Sequence, residues 1–232
     1  MIEHSGYAFI FDMDGTLVDN MRFHTEAWQM MLAENGVEMD PEEFLVRTSG
    51  KTNREIIPGI FPDAGEDEVE RYGERKETLY RELFLEHRRP VRGAVEFLEA
   101  ARELGIPMAV ATAAPTANVE FILDGLDLRK YFAAVTTAAD VANGKPDPEF
   151  FTVSAAKLGI APEKCLVFED ALNGFEAARR AGMKAIGITT VNSAEALISL
   201  ESVVAAYADF ESLDPRRVIE QFLLPRADAN VL

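Results

Sequence analysis

The chain has 232 residues, 48% apolar and 27% charged, the balance of a folded globular protein and not of a disordered or fibrous one. Forty acidic against 23 basic side chains leave a formal net charge of −17, which excludes general nucleic-acid binding because a polyanion is repelled before specific contacts form. The lone cysteine, Cys165, excludes an internal disulfide.

With no run near the ~18 apolar residues of a membrane span, and no basic-then-apolar leader in Met1-Ile2-Glu3-His4-Ser5, the chain is predicted to be soluble and cytoplasmic, with no membrane partner. At roughly 150 residues per domain the length allows one large domain or two unequal ones.

In chain order, the first signal is Tyr7-Ala8-Phe9-Ile10-Phe11, an apolar run that stops at Asp12. Runs without alternation predict strands covered on both faces, as in a parallel sheet flanked by helices. From about Asp19 to Arg89 only helical periodicity appears. Phe23, Ala27 and Met31 form one row, and His24, Trp28 and Leu32 the next. Residues 66–86 are densely charged, with Val69, Tyr72, Leu79 and Leu83 as a narrow apolar stripe.

After Arg89 strands and helices alternate. Strands are predicted at Met108-Ala109-Val110-Ala111, Ala133–Thr136, Cys165-Leu166-Val167-Phe168, Ala185–Ile188 and Val203–Tyr207. Helices are predicted at Ala94–Leu104, Ala117–Leu123, Pro148–Leu158 and Gly174–Ala181, three of them followed by a glycine stop at Gly105, Gly159 or Gly182. The pattern predicts an α/β fold with a doubly wound parallel sheet and an all-helical insertion after the first strand. The expected division is a core of residues 1–17 and 90–232 and a helical domain of residues 18–89. The tail after Leu223 lacks periodicity and is expected to fray.

Three apolar runs end in groups capable of chemistry: Asp12, Thr112 and the pair Glu169-Asp170. In an open parallel sheet, ligands bind outside the carboxyl ends of the strands, so adjacency of these strands would gather the groups in one cleft. Asp12, Asp14, Glu169 and Asp170 would repel one another without a cation, and a few hard oxygen ligands suit Mg²⁺. Lys145 adds a fixed positive charge. Metal, lysine and hydroxyl at an acidic site together predict phosphoryl transfer. An EF-hand is excluded: counted from Asp12, Gly15 is fourth and Phe23 twelfth, where Gly at the sixth position and Glu at the twelfth are needed. A phospho-acceptor receiver domain would have neither the helical insertion nor the second aspartate, Asp14.

Asp12-Met13-Asp14-Gly15-Thr16-Leu17-Val18-Asp19 resembles the first motif of the haloacid dehalogenase superfamily of aspartate-dependent phosphotransferases. Thr112 resembles the second motif, Lys145 the third, and Glu169-Asp170 the fourth, in the family's order. The resemblance implies a Rossmann-like core with a helical cap. It also implies Asp12 as nucleophile, Asp14 as general acid and base, and Thr112 and Lys145 on the phosphoryl oxygens. Mg²⁺ would sit on the Asp12 carboxylate, the Asp14 carbonyl and Asp170, with Glu169 directly on the ion or behind it.

Within the superfamily the chain is most similar to the β-phosphoglucomutase-like subgroup. His24 and Trp28 stand twelve and sixteen positions after Asp12, as there. Gly50-Lys51-Thr52-Asn53-Arg54-Glu55 resembles a cap segment whose arginine binds phosphate, and Arg75-Lys76 one whose lysine meets the general acid when the cap closes. The implied substrate-binding set is His24, Trp28, Gly50, Arg54, Lys76 and Ala113. A packed helical pair for His24 and Trp28, and solvated Lys76 and Arg54, remain open alternatives. Three differences bear on substrate contacts: Thr112-Ala113-Ala114 lacks the subgroup's serines, Asn20 replaces a threonine, and the segment before Arg54 is one residue longer. The expectation is therefore a phosphohexomutase acting on a small sugar phosphate, with a phosphatase on the same scaffold as the alternative. Nothing in the sequence demands more than a monomer.

Overall fold

The computed structural model describes residues 6–40, 44, 48 and 50–224. The predicted fraying of the tail falls, from Pro225 onward, outside the described residues. Among the described residues, strand β1 (Ala8–Phe11) leads into helices α1 (Met21–Glu34), α2 (Asn53–Ile60) and α3 (Glu66–Phe84). Then follow α4 (Ala94–Glu103), β2 (Met108–Ala111), α5 (Thr116–Val119), β3 (Ala134–Thr136), α6 (Glu149–Leu158) and β4 (Cys165–Glu169). The remaining described elements are α7 (Leu172–Arg180), β5 (Lys184–Ile188), α8 (Ala194–Ile198), β6 (Val203–Tyr207) and α9 (Pro215–Phe222).

Among the described residues the six strands form one sheet in the order β3-β2-β1-β4-β5-β6, with every pair parallel. The order reverses direction beside β1, so the switch point falls between β1 and β4, where ligands bind in such sheets. This is the doubly wound α/β fold expected from the apolar runs.

Alternation along β1 divides the core. Phe9 and Phe11 face one side with Val110, Leu166, Phe168 and Phe97, while Ala8 and Ile10 face the other with Val167, Phe150, Phe151 and Phe175. On the first side aromatic rings interlock: Phe11 stacks on Phe168 at 4.6 Å, and Phe97 of α4 lies 5.3–6.2 Å from Phe9, Phe11, Phe168 and Phe210. Such pairs add roughly 0.5–1.5 kcal/mol each beyond burial.

The predicted elements hold to within a residue or two, with one notable change. The helix expected over Ala117–Leu123 is a short α5 continued as a π-helical stretch, Glu120–Asp124. The short α8 and the terminal α9 were not anticipated. The helical insertion leaves and rejoins the sheet side by side: Val18 bridges Pro90, and Val91 N donates to Leu17 O at 2.8 Å. No described helix is long and apolar enough to cross a membrane.

Truncating Phe97 to alanine removes the ring that four aromatic neighbours enclose. The Phe97→Ala variant is expected to lose about 3–5 kcal/mol of stability in a urea titration.

Candidate active site

Asp12 and Thr112 stand at strand ends because the sheet hydrogen bonds continue to them, whereas Lys145 lies in the loop between β3 and α6. Asp12 N donates to Phe168 O at 2.9 Å, and Thr112 N donates to Thr136 O at 3.0 Å. After Asp12 the chain turns tightly through Gly15, whose φ of +82° is a conformation only glycine adopts freely. A Cβ on Gly15 would lie 2.2 Å from Asp170 Oδ2, so this glycine also makes room for the carboxylate.

Lys145 is 1% exposed, and its Nζ donates to Asp12 Oδ1 at 2.6 Å and to Glu169 Oε2 at 3.1 Å. Asp12, Glu169 and Asp170 present carboxylate oxygens within 4.8 Å of one another, an arrangement able to hold a metal ion. Thr16 Oγ1 donates to Asp170 Oδ1 at 3.1 Å, but Asp170 Oδ2 is buried with no hydrogen-bond partner. An orphaned buried carboxylate oxygen beside two further carboxylates is what a hard divalent cation would satisfy.

Burial disfavours the charged form of all three acids. It raises Asp12 to about 6, with Lys145 opposing and Asp14 adding to the shift. Burial and then the Asp12 charge hold Glu169 and Asp170 well above the usual carboxylate range. On Lys145, burial opposes the ammonium, but Asp12 and Glu169 outweigh it and raise its pKa. Thr112 Oγ1 accepts from Ala114 N at 3.1 Å, leaving its proton to donate into the cleft.

Asp14 points toward the helices. Asn20 Nδ2 donates to Asp14 Oδ1 at 2.5 Å and to the Tyr80 hydroxyl at 2.6 Å. Lys76 Nζ contacts His24 Nδ1 at 2.8 Å. An ammonium only donates, so Nδ1 accepts and Nε2 carries its hydrogen toward Asp14 Oδ1, 3.5 Å away. His24 stacks on Tyr80 at 3.8 Å, and Lys76 lies 5.3 Å from the Trp28 ring. Lys76, open between a solvated and a site role on sequence, is 3% exposed.

Asp12, Asp14, His24, Trp28, Lys76, Thr112, Glu169 and Asp170 line a cleft of about 100 Å³ between the carboxyl ends of the strands and the helices, together with Met21, Phe44, Thr48, Gly50, Lys51, Asn53, Ala113 and Asn118. Gly50, at φ +79°, packs against the Lys145 and Asn173 side chains. Of the substrate-binding set expected from sequence, His24, Trp28, Gly50, Lys76 and Ala113 line the cleft. Arg54 does not: it is exposed, and Lys51 and Asn53 take the lining positions. On α2 the inward face is Asn53, Ile56 and Ile57, so the helical repeat turns Arg54 outward. Sequence reasoning missed Glu77, Tyr80 and Asn118. Only the Asn20 difference and the charge-dense stripe of α3 hinted at that layer.

Residues 8–182 match the family described as hydrolase, haloacid dehalogenase-like hydrolase. The chain belongs to this family. It is 36% identical over 203 residues to a phosphorylated carbohydrates phosphatase of Thermotoga maritima, covering 84% of this chain and 92% of that one. It is 34% identical over 181 residues to the fructose-1-phosphate phosphatase of Escherichia coli, covering 77% and 94%. A solved β-phosphoglucomutase of Clostridium difficile superposes with a TM-score of 0.81 at 26% identity, covering 96% and 97%. In this haloacid dehalogenase-like hydrolase the expected motif residues Asp12, Thr112, Glu169 and Asp170 line one cleft, with Lys145 bonded to Asp12 and Glu169.

The raised carboxylates make cation binding pH-dependent with a definite sign. Carboxylates titrate near 4 when unfolded, and Asp12 titrates near 6 when folded, so the metal-free fold binds more protons between these values. Its stability therefore falls as pH rises through that window. Saturating MgCl₂ is expected to raise the melting temperature more at pH 7.5 than at pH 5, since the ion needs ionised ligands. Equal increments at the two pH values in differential scanning fluorimetry would contradict the assignment.

Proposed function

We propose that this haloacid dehalogenase-like hydrolase is a Mg²⁺-dependent phosphatase of small phosphorylated carbohydrates, working through an aspartyl-phosphate on Asp12. The observation that carries the reading is the Asp12 carboxylate, set at the sheet switch point against Lys145 and beside the unsatisfied Asp170 Oδ2. Residues 18–89 would act as a cap over a core of residues 1–17 and 90–232.

Asp12, Glu169 and Asp170 would hold Mg²⁺, which when bound supplies charge neutralisation to the phosphoryl oxygens. An Asp12 oxygen attacks phosphorus, and the bond from phosphorus to the ester oxygen breaks. Asp14 gives that oxygen its proton, then takes one from the water that attacks the aspartyl-phosphate and releases inorganic phosphate. Lys145 and the Thr112 hydroxyl bind the phosphoryl oxygens and offset their charge.

A mutase, first in the expectation from sequence, is the second reading. His24, carried by α1 of the cap, faces Asp14 at 3.5 Å, which ties the acid to cap closure as a mutase requires. Against it stand Arg54, the arginine expected for a distal phosphate, which is exposed and outside the cleft, and the phosphatase names of these two sequence relatives.

The two readings separate in paired assays with Mg²⁺. Fructose 1-phosphate and β-glucose 1-phosphate, the latter primed with glucose 1,6-bisphosphate, are followed for free phosphate and for glucose 6-phosphate. Phosphate release without isomerised sugar is expected, while glucose 6-phosphate with little phosphate would establish the mutase. In either case Asp12→Asn is expected to remove turnover, since an amide cannot attack phosphorus.

A further inference from the structure

We infer that Glu77 is a positioning residue that holds Lys76 against His24, and through them sets Asp14, only while Asn118 of the core stays in contact with it. The inference rests on the reading of Asp14 as proton donor and of residues 18–89 as a cap.

Glu77 is 3% exposed, although α3 is a densely charged helix. A carboxylate out of water is tolerated only when its lone pairs are filled. Three donors fill them: Asn53 Nδ2 reaches Oε1 at 2.7 Å, Lys76 Nζ reaches Oε1 at 3.0 Å, and Asn118 Nδ2 reaches Oε2 at 2.6 Å. Burial pushes Glu77 up, but the Lys76 ammonium and these bonds outweigh it and bring it to about 2. Asn53 and Lys76 lie on α2 and α3, within the helical segment. Asn118 is different, because it lies on α5 just beyond β2.

The polarity of this contact is determined. Arg81 Nη1 donates to Asn118 Oδ1 at 2.9 Å, which turns the amide nitrogen toward Glu77. Every group facing Glu77 is therefore a donor. From there the contacts continue through Lys76 Nζ to His24 Nδ1, and His24 Nε2, which has no hydrogen-bond partner, faces Asp14 Oδ1 at 3.5 Å. The chain of contacts starts in the core, crosses the helices and returns to the core at the proton donor. Lifting the helices away from α5 would strip Glu77 of a partner and loosen Lys76. Asp14 is then in place only when the cleft is shut against water.

Glu77→Gln tests this directly. The introduced amide must aim its nitrogen either at Asn118 or at Asn53 and Lys76, so donor meets donor in both orientations. Adding Asn118→Asp inverts the pair: the amide nitrogen then donates to a carboxylate that also accepts from Arg81, and the amide oxygen accepts from Asn53 and Lys76. The readout is kcat/KM with Mg²⁺ across aryl phosphates from p-nitrophenyl to phenyl phosphate. The p-nitrophenolate departs with little need of a proton, whereas phenolate depends on the acid.

Glu77→Gln is expected to lose about ten-fold more on phenyl than on p-nitrophenyl phosphate, and the double variant to regain the shallow wild-type dependence. Asn118→Ala, on the core side, is expected to skew the series in the same direction. A uniform loss across the series in Glu77→Gln, no recovery in the double variant, or an unskewed Asn118→Ala overturns the inference. A wild-type chain inert toward the whole series would instead overturn the phosphatase reading on which it rests.

Discussion

The structure is organised around an electrostatic constraint: three buried carboxylates and one buried lysine are crowded together at the end of a parallel sheet. Asp12, Glu169 and Asp170 crowd within 4.8 Å, and the only ammonium touching that cluster among the described residues is that of Lys145. Like charges at such range in a low dielectric are tolerable only with protons, a cation or both. The surrounding architecture serves that crowding. Parallel pairing of β1 with β4 brings Asp12 beside Glu169 and Asp170, and the positive φ of Gly15 leaves space that a side chain would take. Gly174 does the same beneath Glu169, since a Cβ there would sit 1.7 Å from Oε1.

The helical segment repeats this logic at a second layer with the opposite outcome. Glu77 is as deeply buried as the acids below it, yet its charge is fully matched by donors, so it lies low in the carboxylate range while they lie high. One layer is left unsatisfied toward the cleft and the other is closed on itself. Other contacts join the layers. Gly144 N, next to Lys145, donates to Glu55 Oε1 at 3.0 Å, and the other oxygen of Glu55 caps α2 through Thr52 N at 2.8 Å. Helix capping and inter-layer docking thus depend on the same carboxylate.

The sheet and its strand-end chemistry were legible in the sequence because both obey short-range rules. Phe9–Phe11, Val110–Ala111 and Leu166–Phe168 are apolar runs that stop abruptly at polar residues, and parallel topology then converges the stops. The helical layer was legible only as periodicity. Spacing predicts which residues share a face of α3, but not that Glu77 meets Asn118 across 41 positions. A charge run reads as a solvated surface until its partners are known, which is why Glu77 went unnoticed. Arg54 shows the converse: resemblance selected the residue, while the inward turn of α2 selected Asn53 and left its neighbour outside.

The position of Trp28 has an optical consequence. It is the chain's single tryptophan, it is buried in α1, and the Lys76 ammonium lies 5.3 Å from its ring. A cation held over an indole shifts and quenches its emission, so the tryptophan emission of the unlabelled protein comes from one indole adjoining the buried charge network. Any rearrangement that carries Lys76 away from His24 therefore changes the colour and lifetime of that emission, and stopped-flow mixing can follow it in real time.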